Sequence, residues 1–293
     1  MNLQGSYHRC MRSSPALGLR ELVAKIPRPL PGRRGDPGLF GPGSLVWRVN
    51  GEAATILGGG RALLMQLAHP MVAAGVADHS RFQEDAFARL WRTLDAVLTI
   101  VFGDTAQAEA AAAEVNRIHE RVRGERDGAP YRATEPELLR WVHATLVDSA
   151  LLCYRTFVGP LERHEADRYV GEMTRFAELF GVPRGTAPSD LWSFEEELAD
   201  RIADLRVSEE ARRLADEIVR PPVAPTMAPA SLLFRSITVG LLPEPVRAGF
   251  DLQLGPAGRV GLAAATSALR RTIPLLPSNI KRWPHARAAQ ARV

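Results

Sequence analysis

Apolar positions recur at spacings of three and four along most of this chain, and that period predicts helix after helix. Glu52 to Leu57 opens one helical stretch, the triple glycine 58–60 interrupts it, and Arg61 to Ala68 resumes it as far as Pro70. Phe87, Leu90, Trp91, Leu94, Val97, Leu98, Val101 and Phe102 then form a broad stripe, closed by Gly103 and Asp104. Thr105 can cap the next helix, which carries Ala110 to Ala113 and runs to a stop at Gly124. Thr134 with Glu137 makes a capping box ahead of a long helix through Phe157, and another helix spans about Leu161 to Phe180. Ser189 and Ser208 open two more. Beyond the Pro-rich stretch from Pro221 to Pro229, shorter helices are expected near 231–240, 243–250 and 257–272. Strand alternation is scarce and no hairpin signal stands out.

The pattern therefore predicts an all-α protein: a single large helical domain over 44–275, an irregular Pro/Gly/Arg-rich arm over 1–43, and a basic tail over 276–293. Composition narrows the reading. The chain has 293 residues, enough to bury a large core unaided, and its two cysteines, Cys10 and Cys153, lie too far apart to suggest a disulfide framework or a thiolate metal site. Its net charge is +4, with much of the excess near the two ends. Basic ends can meet an anionic membrane surface, but most such ends only solubilise, and no specific nucleic-acid site is expected. No segment has the roughly eighteen uninterrupted apolar residues of a membrane span, and no apolar secretory core follows the N-terminus. A cytoplasmic location is the expectation.

Among the seven histidines, four lie in settings where chemistry can be weighed against packing. His119 falls in Ile118-His-Glu-Arg-Val-Arg-Gly124. It should point inward, and on a continuous helix Arg123 would share its face one turn later. Imidazole for a metal and guanidinium for an anion beside it is the pair that haem wants, through its iron and its propionates. The ordinary alternative is a hydrogen-bonded core histidine. His143 is a second pocket residue or a core histidine in equal measure, His69 precedes a proline that must break its helix, and His79 sits in an expected loop. His8, His164 and His285 read as bystanders in loose or charged segments. The triple glycine lacks the Gly-Lys-Ser/Thr and the preceding strand of a phosphate loop, so close backbone approach is the better account of it. Trp91, Leu94 and Met65 to Leu67 are candidates for an apolar pocket wall, or for plain core.

Taken in order, Gly58-Gly-Gly-Arg-Ala-Leu-Leu-Met-Gln-Leu-Ala-His-Pro70, Gly75-Val-Ala-Asp-His-Ser80, Arg89-Leu-Trp-Arg-Thr93, Ile118-His-Glu-Arg-Val-Arg-Gly124 and Trp141-Val-His-Ala-Thr-Leu-Val-Asp148 resemble one family. It contains the latex-clearing rubber oxygenases and the oxygenase of mycophenolic acid biosynthesis. The resemblance implies a helical fold with a globin-like core, one haem b, and O2 used on an apolar unsaturated substrate, in the rubber enzymes by cleaving a carbon–carbon double bond. It implies His119 as the iron ligand, Arg123 as its neighbour, and Arg89 and Thr93 on the distal helix. Where the rubber oxygenases carry a lysine before that threonine, this chain has Arg92. A guanidinium keeps its proton and cannot lend a lone pair, so Arg92 serves a propionate at most and the sixth iron position is expected to be open or held by water. The family's catalytic glutamate has no clear match: Glu84 is the nearest acid, and His79 is the substitute base. A small or membrane-dissolved lipid is the expected substrate. The competing reading is a cofactor-free helical protein that binds an apolar ligand or a membrane or nucleic-acid surface.

Overall fold

The computed structural model describes residues 26–79, 86–221 and 223–293, with the side chains of 86–89 outside the description. The chain is 70% helical, so the all-α expectation holds. Helix α1 (Leu45–Asn50) starts at Ser44, whose hydroxyl accepts from the Trp47 N–H. A 3-10 turn (Ala53–Gly58) leads into α2 (Gly59–Leu67). Ala68 and His69 break the path, and Pro70 then occupies the first position of α3 (Pro70–His79), where its missing N–H costs nothing. The His69 ring accepts at Nδ1 from the Met71 N–H, so this histidine works at a helix start, on a donor and not on freed carbonyls.

Helices α4 (Ala86–Phe102) and α5 (Thr105–His119) form an antiparallel pair joined by Gly103 and Asp104. Asp104, not Thr105, is the cap, in a reciprocal box with Gln107. Helix α6 (Pro136–Cys153) ends in a π-turn (Tyr154–Val158) and is followed by α7 (Arg163–Leu179), α8 (Leu191–Asp204) and α9 (Glu209–Val219). The later helices are α10 (Ala228–Gly240), α11 (Glu244–Gly249), α12 (Pro256–Thr272), α13 (Ser278–Lys281) and α14 (Pro284–Arg292).

One expectation fails. Residues 120–132 hold a two-stranded antiparallel hairpin, β1 (Arg123–Arg126) and β2 (Ala129–Arg132), in register Arg123 to Arg132. Asp127 and Gly128 take φ of 52° and 78°, the positive pair that a two-residue hairpin turn requires. Asp-Gly is the standard signal for that turn. Strands this short and this rich in arginine gave no alternation to draw attention to it.

The core runs through α1, α2, α4, α6 and α7. Its largest fully buried side chains include Leu64, Met65, Phe102, Trp141 and Tyr169. Two of the polar atoms taken inside with them are paired across elements: Trp47 Nε1 donates to the Val101 carbonyl at 2.9 Å, and Asn50 Nδ2 donates to the Tyr169 hydroxyl at 3.2 Å. Burial pushes the Tyr169 hydroxyl far up, so it stays neutral. The stretch beyond 276 is helical, and Trp283, His285, Ala286 and Ala289 are buried. His285 is thus a core residue and not part of a loose end; burial lowers its pKa to about 4. Among the described residues, no helix is long and apolar enough to cross a membrane.

Candidate active site

The link between α4 and α5 sets the geometry. Gly103 closes α4 by donating to the Thr99 carbonyl at 2.8 Å, and the Asp104 carboxylate caps α5 while accepting from the Arg33 N–H at 2.7 Å. Those hydrogen bonds hold the Asp104 carboxyl below its usual range. From so short a link, an antiparallel pair with equal rise brings the first turns of α4 level with the last turn of α5. Arg89 and His119 therefore lie at the same end of the helical hairpin. Thr93 follows one turn along α4 and is half-buried, whereas Arg92 points to solvent. The side chain of Arg89, and Glu84 as a whole, lie outside the described residues.

Along α5 the inward positions are Ala108 and Ala112, fully buried, then Val115, Asn116 and His119, half-buried. That register follows from the 3.6-residue period, and it turns the imidazole inward as the sequence predicts. Asn116 anchors this face by donating to the Leu179 carbonyl at 2.8 Å. The His119 ring stands 6.2 Å from that of Phe180. Phe180 lies 5.1 Å from Phe176, which in turn stacks at 6.3 Å on His143. Two candidate histidines thus end a line of four rings. Sequence reading passed over Phe176 and Phe180, although aromatics four apart on one helix are neighbours by rule. Of the alanines 110–113, Ala110 and Ala113 face solvent and only Ala111 and Ala112 turn inward.

Arg123 does not share a helix face with His119. Helix α5 stops at His119; the Val122 N–H bonds to the His119 carbonyl at 3.0 Å, and the chain turns into β1 with the Arg123 side chain exposed. The hairpin turn at Asp127-Gly128 is the physical reason, because it draws 123–126 into ladder pairing with 129–132. The Arg123 carbonyl meets Nε2 of His79 at 3.0 Å. His79 is the last residue of α3, not part of a loop, and is exposed. Its neighbour Asp78 accepts from the Tyr131 hydroxyl and from Arg126, both at 2.6 Å. The Tyr131 bond above all lowers the Asp78 carboxyl, while burial, with Asp78 adding to it, lifts the Tyr131 hydroxyl to about 12. His79 thus belongs to the contacts that pin the hairpin on α3, and it does not face a sequestered pocket.

His143 is buried on α6 and donates through Nε2 to the Met173 carbonyl at 2.9 Å. Burial lowers its pKa to about 4, so at neutral pH it carries no charge. The cavity beside it, of about 10 Å³, holds at most a water. His143 is a core histidine. Met65 and Leu67 are likewise core, and Trp91 and Leu94 pack half-buried against that core. The indole N–H of Trp91 is buried with no partner among the described residues.

The triple glycine serves close packing. A Cβ on Gly58 would lie 2.6 Å from Cys153 Sγ, one on Gly59 2.7 Å from Leu90, and one on Gly60 2.7 Å from Phe234. Next to it, Arg61 is buried and bound on every side: to Asp148, to Ser149 Oγ at 2.7 Å, and to the Leu241 carbonyl at 2.7 Å. Cys153 is a free thiol whose pKa burial raises to about 12, too inert for a nucleophile. Among the described residues, no three His, Cys, Asp or Glu converge to hold a bare metal ion.

The geometry thus gives an inward histidine level with the start of a partner helix, in an all-helical frame. Residues 47–272 match the family described as ER-bound oxygenase mpaB/B′/rubber oxygenase, catalytic domain, and the chain belongs to that family. No curated protein and no solved structure matches it.

Proposed function

We propose that this chain is a haem b-dependent oxygenase that uses O2 on a small apolar unsaturated substrate, by cleavage of a carbon–carbon double bond, with His119 as the protein ligand to iron. The observation that carries the reading is the inward register of His119 at the level of Arg89 and Thr93. The residues present fit haem on its ligand side. Haem would bring most of the iron's ligands itself, so a single imidazole would suffice and His119 would be the residue that holds it. The ring of Phe180 beside His119 would restrict rotation of the imidazole. Arg123, set on a strand and exposed, does not fit as the same-face partner; Arg92, exposed on α4, would be the candidate partner for a propionate.

When bound, haem supplies the activation of O2; the protein supplies position and a dry setting. His119 would hold the iron. Thr93 brings a half-buried hydroxyl, able to donate or accept one hydrogen bond, to the opposite helix. The unpartnered Trp91 N–H is a second buried donor on the same helix. Arg92 faces solvent, and a guanidinium has no lone pair to lend, so Arg92 would not be a ligand to iron. No proton transfer is assigned to His79, which is exposed and tied to the hairpin.

The test is the visible spectrum of protein produced with haem supplied, beside His119→Ala and His143→Ala. A Soret band that is lost or displaced in His119→Ala and kept in His143→Ala is the expected result. A folded protein with no Soret band, or a band indifferent to His119, overturns the reading.

A further inference from the structure

Six of the ten exposed large hydrophobic residues among those described lie on neighbouring elements late in the chain: Leu232, Leu233, Val260 near the start of α12, and Leu275, Leu276 and Ile280 past its end. Leu275 is 82% exposed, Val260 70% and Leu232 64%, values that no packing demand explains. The face is built from α10, α12, the 3-10 turn Ile273–Leu275 that follows, and α13. Gly240, the last residue of α10, packs against Leu254 and Leu262 beside the start of α12. The first turns of α10, with Leu232 and Leu233, therefore lie toward the end of α12, where Arg270 and Arg271 stand exposed ahead of Leu275 and Leu276. Helix α12 runs for 17 residues without one buried side chain.

The charge on this face has one sign. From Leu252 to Val293, and again from Pro221 to Pro243, the sequence contains no aspartate or glutamate. The first segment carries Arg259, Arg270, Arg271 and Lys281. Of the nearby carboxylates, Glu52 pairs with Arg282 at 3.2 Å and Asp251 with Arg212 at 3.5 Å, while Glu244 stands exposed at the start of α11, beyond the far end of α10 from Arg270 and Arg271. Protruding aliphatic side chains flanked by arginine, with no acid among them, make a surface suited to the phosphate and acyl boundary of a bilayer. A second copy of the chain is a poor occupant. A two-fold contact would set this face on itself, arginine against arginine with no carboxylate to receive it.

We infer that the α10–α12–α13 face docks on an anionic lipid bilayer, its leucines entering the headgroup boundary and Arg270 and Arg271 meeting lipid phosphates. The inference does not depend on haem. Co-sedimentation with vesicles tests it, comparing phosphatidylcholine alone with phosphatidylcholine containing phosphatidylserine. Binding to the mixed vesicles, weakened by salt, is expected. Arg270→Glu/Arg271→Glu should reduce it by at least about tenfold, since each basic residue near an anionic surface contributes about fivefold. Leu275→Ser/Leu276→Ser should reduce it as well, with circular dichroism unchanged because both side chains are exposed. No binding to either vesicle overturns the inference, as does equal binding to both. Self-association abolished by the leucine variant, without vesicle binding, also overturns it and assigns the face to a second copy.

Discussion

The seam where α2, α6 and α10 meet and the open end of the α4–α5 pair carry motifs of the same family, and they are built in opposite ways. At the seam three glycines admit Cys153, Leu90 and Phe234 at contact distance, and Arg61 spends its hydrogen bonds on Asp148, Ser149 and Leu241. At the open end, His119, Thr93, Trp91 and Leu94 are all half-buried. The seam is closed by its own side chains. The open end leaves those side chains only partly covered, and the buried Trp91 indole N–H has no partner among the described residues. Motif residues thus divide into those that fix the frame and those left partly uncovered, and burial with pairing tells them apart.

The sharpest test of that division is Arg61→Ala against His119→Ala. Removing Arg61 strands Asp148 and two further acceptors, a loss of about 3 kcal/mol or more. Chemical denaturation should show it as a lower midpoint at unchanged slope, while His119→Ala moves the midpoint far less. Equal losses would erase the distinction. A smaller effect comes from pH. The unfolded His143 imidazole takes a proton near pH 6.5 and the folded one only at about 4. Between those values the unfolded chain binds more protons, so stability is full above about 6.5 and falls as pH drops toward 4. His285 adds to the same slope. Denaturation at a series of pH values should be less steep in His143→Phe, whereas His119→Ala should leave most of the slope in place. The smallest expected effect is Gly128→Val in the hairpin. A β-branched residue at a φ of 78° costs about 1–2 kcal/mol and should loosen the Tyr131–Asp78 contact on α3, read as faster amide exchange in β1 and β2. Unchanged exchange there would mean that other contacts hold the hairpin in place.

Much of this frame was legible in the sequence because helices declare themselves locally. Expected helices near 231–240, 243–250 and 257–272 appear at 228–240, 244–249 and 256–272. The inward turn of His119 followed from period alone. What escaped was non-local, or too short to show a period. Arg61 finds its partner 87 positions away, a distance at which spacing carries no information. His285 lies in a basic, Ala-rich stretch that reads as a tail, yet it is buried against α4 with Asp95 3.8 Å from its ring. The helix drawn through to Gly124 ignored Asp127-Gly128, where two residues outweigh the propensity of the ten before them. That single turn removed Arg123 from the face of His119.

Arg292 donates to the carbonyls of Asp36, Phe102 and Gly103, and its own carbonyl accepts from Gly35. This one guanidinium ties the stretch before α1 and the last helix to the turn between α4 and α5, across 256 positions of chain. In time, such a knot comes late. The α4–α5 pair is joined by two residues and can assemble from local contacts, whereas the knot waits on closure of nearly the whole chain. The two helices that carry His119, Arg89 and Thr93 therefore meet before the ends of the fold are fastened, and the last step of folding locks a hairpin that has already formed.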